Sequence, residues 1–138
     1  VPGVGAVLTA AILSEIGDVH RFKNAKAVVA YAGIDPRVFQ SGQFTASDAH
    51  ISKRGSPYLR RAVWQAAVAA ARVDPALKAL HKRKMAEGMS FQSAMGVVAN
   101  KLIHIIYAVL RDNKPYYVDV SSLSPECSDR AAASPVAP

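Results

Sequence analysis

Ser56-Pro57-Tyr58-Leu59-Arg60-Arg61-Ala62-Val63-Trp64-Gln65-Ala66-Ala67-Val68-Ala69-Ala70-Ala71-Arg72-Val73-Asp74-Pro75 reads as one complete helix and the first step of the next. Ser56 offers a hydroxyl oxygen to the free amides of a first helical turn, and Pro57 sits where a missing N–H costs nothing. Leu59, Val63, Ala66, Ala67 and Ala70 then recur on one face at helical spacing. Asp74-Pro75 repeats the cap-and-proline signal for a further helix, which Gly88 stops.

Working toward the C-terminus, Ser90 caps a helix whose stripe is Phe91, Ala94, Met95, Val98, Leu102, Ile105 and Val109, and Asn113-Lys114-Pro115 terminates it. Toward the N-terminus, Asn24 is an N-cap for residues 25 to 31, closed by Gly33. Residues 6 to 16 place Val7, Leu8, Ala11, Ile12 and Ile16 at helical spacing, with Gly17-Asp18 ending the run. The expected fold is all-α, a compact bundle of about five helices over residues 1 to 116. Residues 117 to 138 are rich in Ser, Pro and Ala without a period and read as a disordered tail.

Residues 34 to 55 break the helical pattern. They hold Pro36, Gly42 and Gly55, and the segments Val38-Phe39-Gln40 and Gln43-Phe44-Thr45 flank Ser41-Gly42, which allows a small β-hairpin. A connection this long within a compact domain is either functional or disordered.

The chain has 138 residues, about half of them apolar, which suits one domain with a real core. No run of about 18 uncharged apolar residues is present, so no membrane-spanning helix is expected. A single cysteine, Cys127, excludes an internal disulfide and argues against a cysteine metal site, which fits a reducing cytoplasm. The chain opens at Val1 without a signal sequence and is expected to be a fragment of something longer. Net charge is +7, and between His50 and Lys84 nine lysines and arginines face one acid, Asp74. Such a block repels itself unless a polyanion answers it, and nucleic acid is the usual answer.

Two features point to where that polyanion would lie. Pro2-Gly3-Val4-Gly5 is a Gly-x-Gly turn entering a helix, similar to the hairpin of helix-hairpin-helix DNA-binding motifs. Glycines there allow close approach to a phosphate, and amides at a helix N-terminus face outward with the positive end of the dipole. An ordinary tight turn accounts for the tetrapeptide equally well. The second feature is Ser41-Gly42 set among Arg37, His50, Lys53, Arg54, Arg60 and Arg61. Arg37, Lys53 and Arg54 are suited to phosphate oxygens, and His50 to a phosphate contact or a cap of the loop.

Taken in order, Pro-Gly-Val-Gly (2 to 5), Tyr-Ala-Gly-Ile-Asp-Pro (31 to 36), Gln-Ser-Gly (40 to 42), His-Ile-Ser-Lys-Arg-Gly-Ser-Pro-Tyr-Leu-Arg-Arg (50 to 61) and Ile-Ile-Tyr-Ala-Val-Leu-Arg-Asp (105 to 112) resemble the C-terminal "transposase 20" domain of insertion-sequence transposases and DNA invertases of the Piv/MooV type. The resemblance runs over about residues 1 to 116. It implies a two-part enzyme, in which an N-terminal RuvC-like domain with acidic residues binds Mg²⁺ and the C-terminal domain supplies a serine that attacks DNA. Carried onto this chain, that serine is Ser41. The resemblance also implies DNA as partner, and for some members a guide RNA. A homo-oligomer is in keeping with joining more than one DNA site. No cofactor is expected in this chain. Its scattered acids form no Mg²⁺ set, so the fragment alone should be catalytically silent.

Other groupings carry less. Ser41, Asp48 and His50 lack the strand-turn-helix setting of a hydrolase nucleophile. His20, His81 and His104 share no metal-ligand spacing, and His104 reads as an interior histidine. Trp64 reads as core, Tyr58 as open, Lys82-Arg83-Lys84 as an exposed helical face, and Met85, Met89 and Met95 as packing residues. Two other functions stay open: a non-catalytic helix-hairpin-helix DNA-binding module, and a helical domain whose basic face meets an acidic protein.

Overall fold

A computed structural model describes residues 1–35 and 51–118, together with the backbone of residues 40–41 and 44–45. The helices are α1 (Ala6–Ile16), α2 (Ala25–Ala32), α3 (Pro57–Val73), α4 (Pro75–Ala86) and α5 (Phe91–Asp112), with a 3-10 turn at Val19–Arg21 between the first two. Two short strands, β1 (Gln40–Ser41) and β2 (Phe44–Thr45), pair antiparallel with Gln40 opposite Thr45 and Ser41 opposite Phe44. The helical bundle is thus as the periodicity implies, and the small hairpin is present as two residues on each side.

The helix starts follow the caps read from the sequence. The Ser56 hydroxyl accepts from the Leu59 amide at 3.1 Å, the Asn24 side chain from Ala27 at 2.9 Å, and Ser90 from Ser93 at 3.2 Å. Asp74 is completely buried at the α3–α4 corner, and one carboxylate oxygen accepts from Ala76 and Leu77 at 2.9 and 3.2 Å. A buried carboxylate is tolerated there because backbone amides and the helix N-terminus answer it.

Helices α3 and α5 form the centre. α3 packs on α1, α4 and α5, while α5 also carries α2 and the 3-10 turn. Ala62, Ala66, Ala67, Ala70 and Ala71 of α3 are buried, and these small side chains let neighbouring helices approach while Leu59, Val63, Val98, Leu102 and Ile103 fill the volume between them. α1 runs antiparallel to α3. A Cβ on Gly3 would lie 2.8 Å from the Ala69 carbonyl oxygen, and at the other end the Ser56 hydroxyl donates to Glu15 at 2.7 Å. The Tyr107 hydroxyl donates to the Phe22 carbonyl at 3.2 Å, tying α5 to the connection ahead of α2.

Several expected core positions lie elsewhere. Val7 is 83% exposed, lying about 140° around α1 from the buried Ile12, and Phe91, the first residue of α5, is 54% exposed. Phe91 sets the edge of its ring against His81, with centroids 5.0 Å apart. Met85 and Met89 are exposed, whereas Met95 is buried as expected. Trp64 is packed against the core and half-buried, and His104 is only half-buried. α5 is long and apolar enough, by length and composition, to cross a membrane, contrary to the sequence reading. Its inward residues, among them Ala94, Val98, Leu102 and Ile103, are occupied in the bundle.

The connection between α2 and α3 leaves and returns at one place. The Ser52 amide donates to Asp35 O at 3.0 Å, Lys53 to Gly33 O at 3.1 Å and Ser56 to Tyr31 O at 2.7 Å. The Ser52 hydroxyl also donates to the Asp35 carboxylate. Residues 31–35 and 51–56 therefore form a stitched stem that joins α2 to α3. Two glycines make the approach tight enough. A Cβ on Gly33 (φ +69°) would collide with the Arg54 backbone, and one on Gly55 (φ +112°) with the Tyr31 carbonyl. Both have the left-handed backbone that L side chains rarely adopt.

Gly55→Ala should lower stability by at least about 2 kcal/mol in urea unfolding, since it adds left-handed strain to a backbone collision. Tyr116 supplies a pH signature. Burial raises the pKa of its phenol, and the nearby Asp74 charge adds to the rise. The folded state therefore favours the neutral phenol, so its contribution is fully present below about pH 10 and is lost as pH rises further. Thermal melts of Tyr116→Phe between pH 8 and 11 should show a shallower alkaline decline than the parent chain.

Candidate nucleic-acid interface

The stem carries Lys53 and Arg54, two of the residues that the sequence marks as chemical. Lys53 and Arg54 are exposed on its returning side, directly across the backbone from Gly33. Lys53 has φ 53°, a left-handed conformation that costs a lysine of the order of 1 kcal/mol. It is held there by its amide bond to Gly33 O and by the reversal at Gly55. The result projects two adjacent cations from the stem, just ahead of α3.

Arg60 and Arg61 part company at the start of α3. Arg60 is half-buried and its Nη1 donates to the Ala32 carbonyl at 3.4 Å, so its charge braces the stem from below. Arg61, one residue on, is exposed. Among the described residues no carboxylate pairs with Lys53, Arg54, Arg60 or Arg61. The backbone of Ser41 lies in β1, paired with Phe44, and its side chain lies outside the described residues. Arg37, Gly42, His50, Asp48 and Cys127 also lie outside them, as do residues 119–138, which make up nearly all of the expected tail.

The N-terminal turn is present, with the Val4 amide donating to Val1 O at 3.2 Å. Its two glycines do different things. Gly3 (φ +86°) rests on the α3 backbone at Ala69 and Ala70, so the close approach it allows within the fold is to a helix. Gly5 is the N-cap of α1, with no side-chain cap and open space where a Cβ would project. The amides at the start of α1 are thus without a side-chain partner. The turn sits at the C-terminal half of α3 and the stem at its N-terminus, so one helix carries both features. About 20 Å separates them at 1.5 Å per residue.

Other cations are engaged or lie on a different surface. The Arg21 guanidinium donates to Glu15 O at 3.1 Å and stands 4.6 and 4.9 Å from the rings of Phe22 and Tyr31. On α4, Lys84 is bound to Glu87 at 2.7 Å and is not the exposed residue that was expected, while Lys82 and Arg83 are exposed. Among the described residues no three His, Cys, Asp or Glu side chains are grouped to hold a metal ion.

The sequence reading passed over the partners of the stem. Gly33 and Gly55, Asp35 with Ser52, and Glu15 with Ser56 have no local signature beyond two glycines flanking an aperiodic segment. Those glycines were the available signal.

Comparison with known proteins places this arrangement. The model of the Transposase IS116/IS110/IS902 family matches residues 1–82. The chain is 33% identical over 117 residues to a pilin gene-inverting protein of Moraxella bovis, covering 84% of this chain and 36% of that protein. It is 32% identical over 115 residues to the insertion element IS110 uncharacterized 43.6 kDa protein of Streptomyces coelicolor, covering 83% and 28%. It is 31% identical over 121 residues to the transposase for insertion sequence element IS1111A of Coxiella burnetii, covering 84% and 32%. The chain spans about a third of the length of these relatives. With more than half of its residues matched, the chain belongs to the transposase IS116/IS110/IS902 family.

Proposed function

We propose that this chain is the DNA-contacting, serine-bearing part of an insertion-sequence transposase, acting in strand exchange during transposition or site-specific inversion. The observation that carries this reading is the stitched stem. It closes the connection that contains Ser41 at both of its ends, and Lys53 and Arg54 on its returning side have no carboxylate partner among the described residues. The relatives include a transposase and a gene-inverting protein, which agrees with that role.

In this reading the Ser41 hydroxyl oxygen forms a bond to a DNA phosphorus and the scissile P–O bond breaks. The departing sugar oxygen takes up a proton, and the phosphoserine link conserves the bond energy for rejoining. Lys53, Arg54 and Arg37 hold the phosphate oxygens and offset the charge that grows in the transition state. Gly42 permits close backbone approach, and His50 and Arg61 add contacts to neighbouring phosphates. A free serine is a weak nucleophile, so the base that takes its proton belongs to the acidic RuvC-like domain of the whole protein. Mg²⁺ would be held there, by the acidic residues of that domain. A guide RNA and self-association are further parts of this proposal, in keeping with a basic surface and with the joining of two DNA sites.

The uncapped N-terminus of α1 favours a second, non-exclusive reading, in which Gly3 and Gly5 act as a helix-hairpin-helix-like contact to the DNA backbone. Ser41→Ala in the full-length protein separates the two. It should leave DNA binding intact while abolishing strand exchange and the covalent protein–DNA adduct seen on denaturing gels. Recombination at the parental rate by Ser41→Ala would leave only the binding reading.

A further inference from the structure

The outward face of α3 carries a pattern that the stem and the serine do not use. Tyr58, Arg61, Gln65 and Arg72 are spaced three, four and seven residues apart, which at 100° per residue sets them within about 60° of one another. All four are exposed, Tyr58 at 74%, while Leu59, Val63, Ala66 and Ala70 on the opposite side are buried. The stripe runs about 21 Å along the helix. Between residues 51 and 73 there is no acidic side chain. The acids at the two ends of the helix are engaged, Glu15 with the Ser56 hydroxyl and Asp74 as the buried cap of α4.

A row made only of guanidinium, amide and phenol groups at these intervals is unusual for a face meant only for solvent, where charges of both signs are normally mixed. Its chemistry matches a regularly spaced polyanion. Arginine pairs with phosphate in a fork, glutamine donates and accepts at base edges, and an exposed tyrosine adds a flat apolar surface with a polar tip. The width of an α-helix also suits the major groove of B-form DNA. The stripe begins at the stem and ends where Gly3 rests on Ala69 and Ala70, so it joins the two features already described.

We infer that the Tyr58–Arg61–Gln65–Arg72 face of α3 is a docking track for duplex DNA, which holds the duplex in register with the segment that bears Ser41. This rests on the reading of the chain as DNA-contacting and extends it from the loop to a helix surface. Arg61 and Arg72 anchor phosphates near the two ends of the track, and Tyr58 and Gln65 face the groove close to the stem.

The test is binding of the 138-residue chain to a fluorescent 20-base-pair DNA duplex by anisotropy, at several salt concentrations. Arg61→Ala with Arg72→Ala should weaken binding at least tenfold at about 0.1 M salt and reduce the slope of log affinity against log salt by about two. Lys82→Ala with Arg83→Ala removes the same charge from α4 and should change the slope by much less. Equal losses from the two pairs would mean that net charge alone is at work and would overturn the track. An unchanged slope in the α3 pair, with the parent still binding DNA, overturns the track and leaves the proposed function standing. Absence of salt-dependent binding by the parent chain overturns the track and removes the support for DNA contact by this chain. Tighter binding of an RNA duplex of the same length overturns the choice of partner. Far-UV circular dichroism should be unchanged in both pairs, since all four substituted side chains are exposed.

Discussion

Three backbone hydrogen bonds, from Ser52 to Asp35, from Lys53 to Gly33 and from Ser56 to Tyr31, decide how the end of α2 is joined to the start of α3. They form only because the chains on either side are glycine at the points of contact. Gly33 lies against the Arg54 backbone and Gly55 against the Tyr31 carbonyl. With the stem closed, the end of α2 and the start of α3 occupy fixed relative positions, and the left-handed turn at Lys53 points two cations outward. The same closure turns Arg60 inward to the Ala32 carbonyl. Of four basic residues within nine positions, three are thereby presented and one is a brace.

α3 then works as the spine of the molecule. Its alanine-rich side receives α1, α4 and α5, and its first and last turns are tied by polar contacts to other elements, Ser56 to Glu15 and Asp74 to the start of α4. Because α1 lies antiparallel on it, the Gly-x-Gly turn and the stem, well separated in sequence, come to opposite ends of one rigid element. Placing functional groups on a helix rather than on separate loops sets their spacing by backbone geometry.

Local rules carried the reading of the helices. Ser56, Asp74, Ser90 and Asn24 each cap the helix assigned to them, and the stripe Leu59, Val63, Ala66, Ala67 and Ala70 is buried. These signals are legible because cap and periodicity depend on residues a turn apart. The misplacements share one limit: periodicity identifies an apolar stripe but not how much of its width the neighbours cover. Val7, Phe91 and Met85 lie on or near apolar faces and remain exposed. The apolar length of α5 likewise becomes interpretable only once α2, α3 and α4 are seen against it. At the site, the motif residues were legible as a string, but the pairing of residues 31–35 with 51–56 is non-local and has no spacing rule. The different fates of Arg60 and Arg61 follow from a 100° step around a helix whose orientation the string does not state.

The stem has one more consequence, for how such proteins diverge. Its closure is made by main-chain groups, by the Asp35–Ser52 side-chain pair and by glycines at its two roots, so the join between α2 and α3 is set by residues 31–35 and 51–56. Lineages that inherit this join should therefore hold Gly33 and Gly55 most strictly, because any larger residue at either root meets backbone.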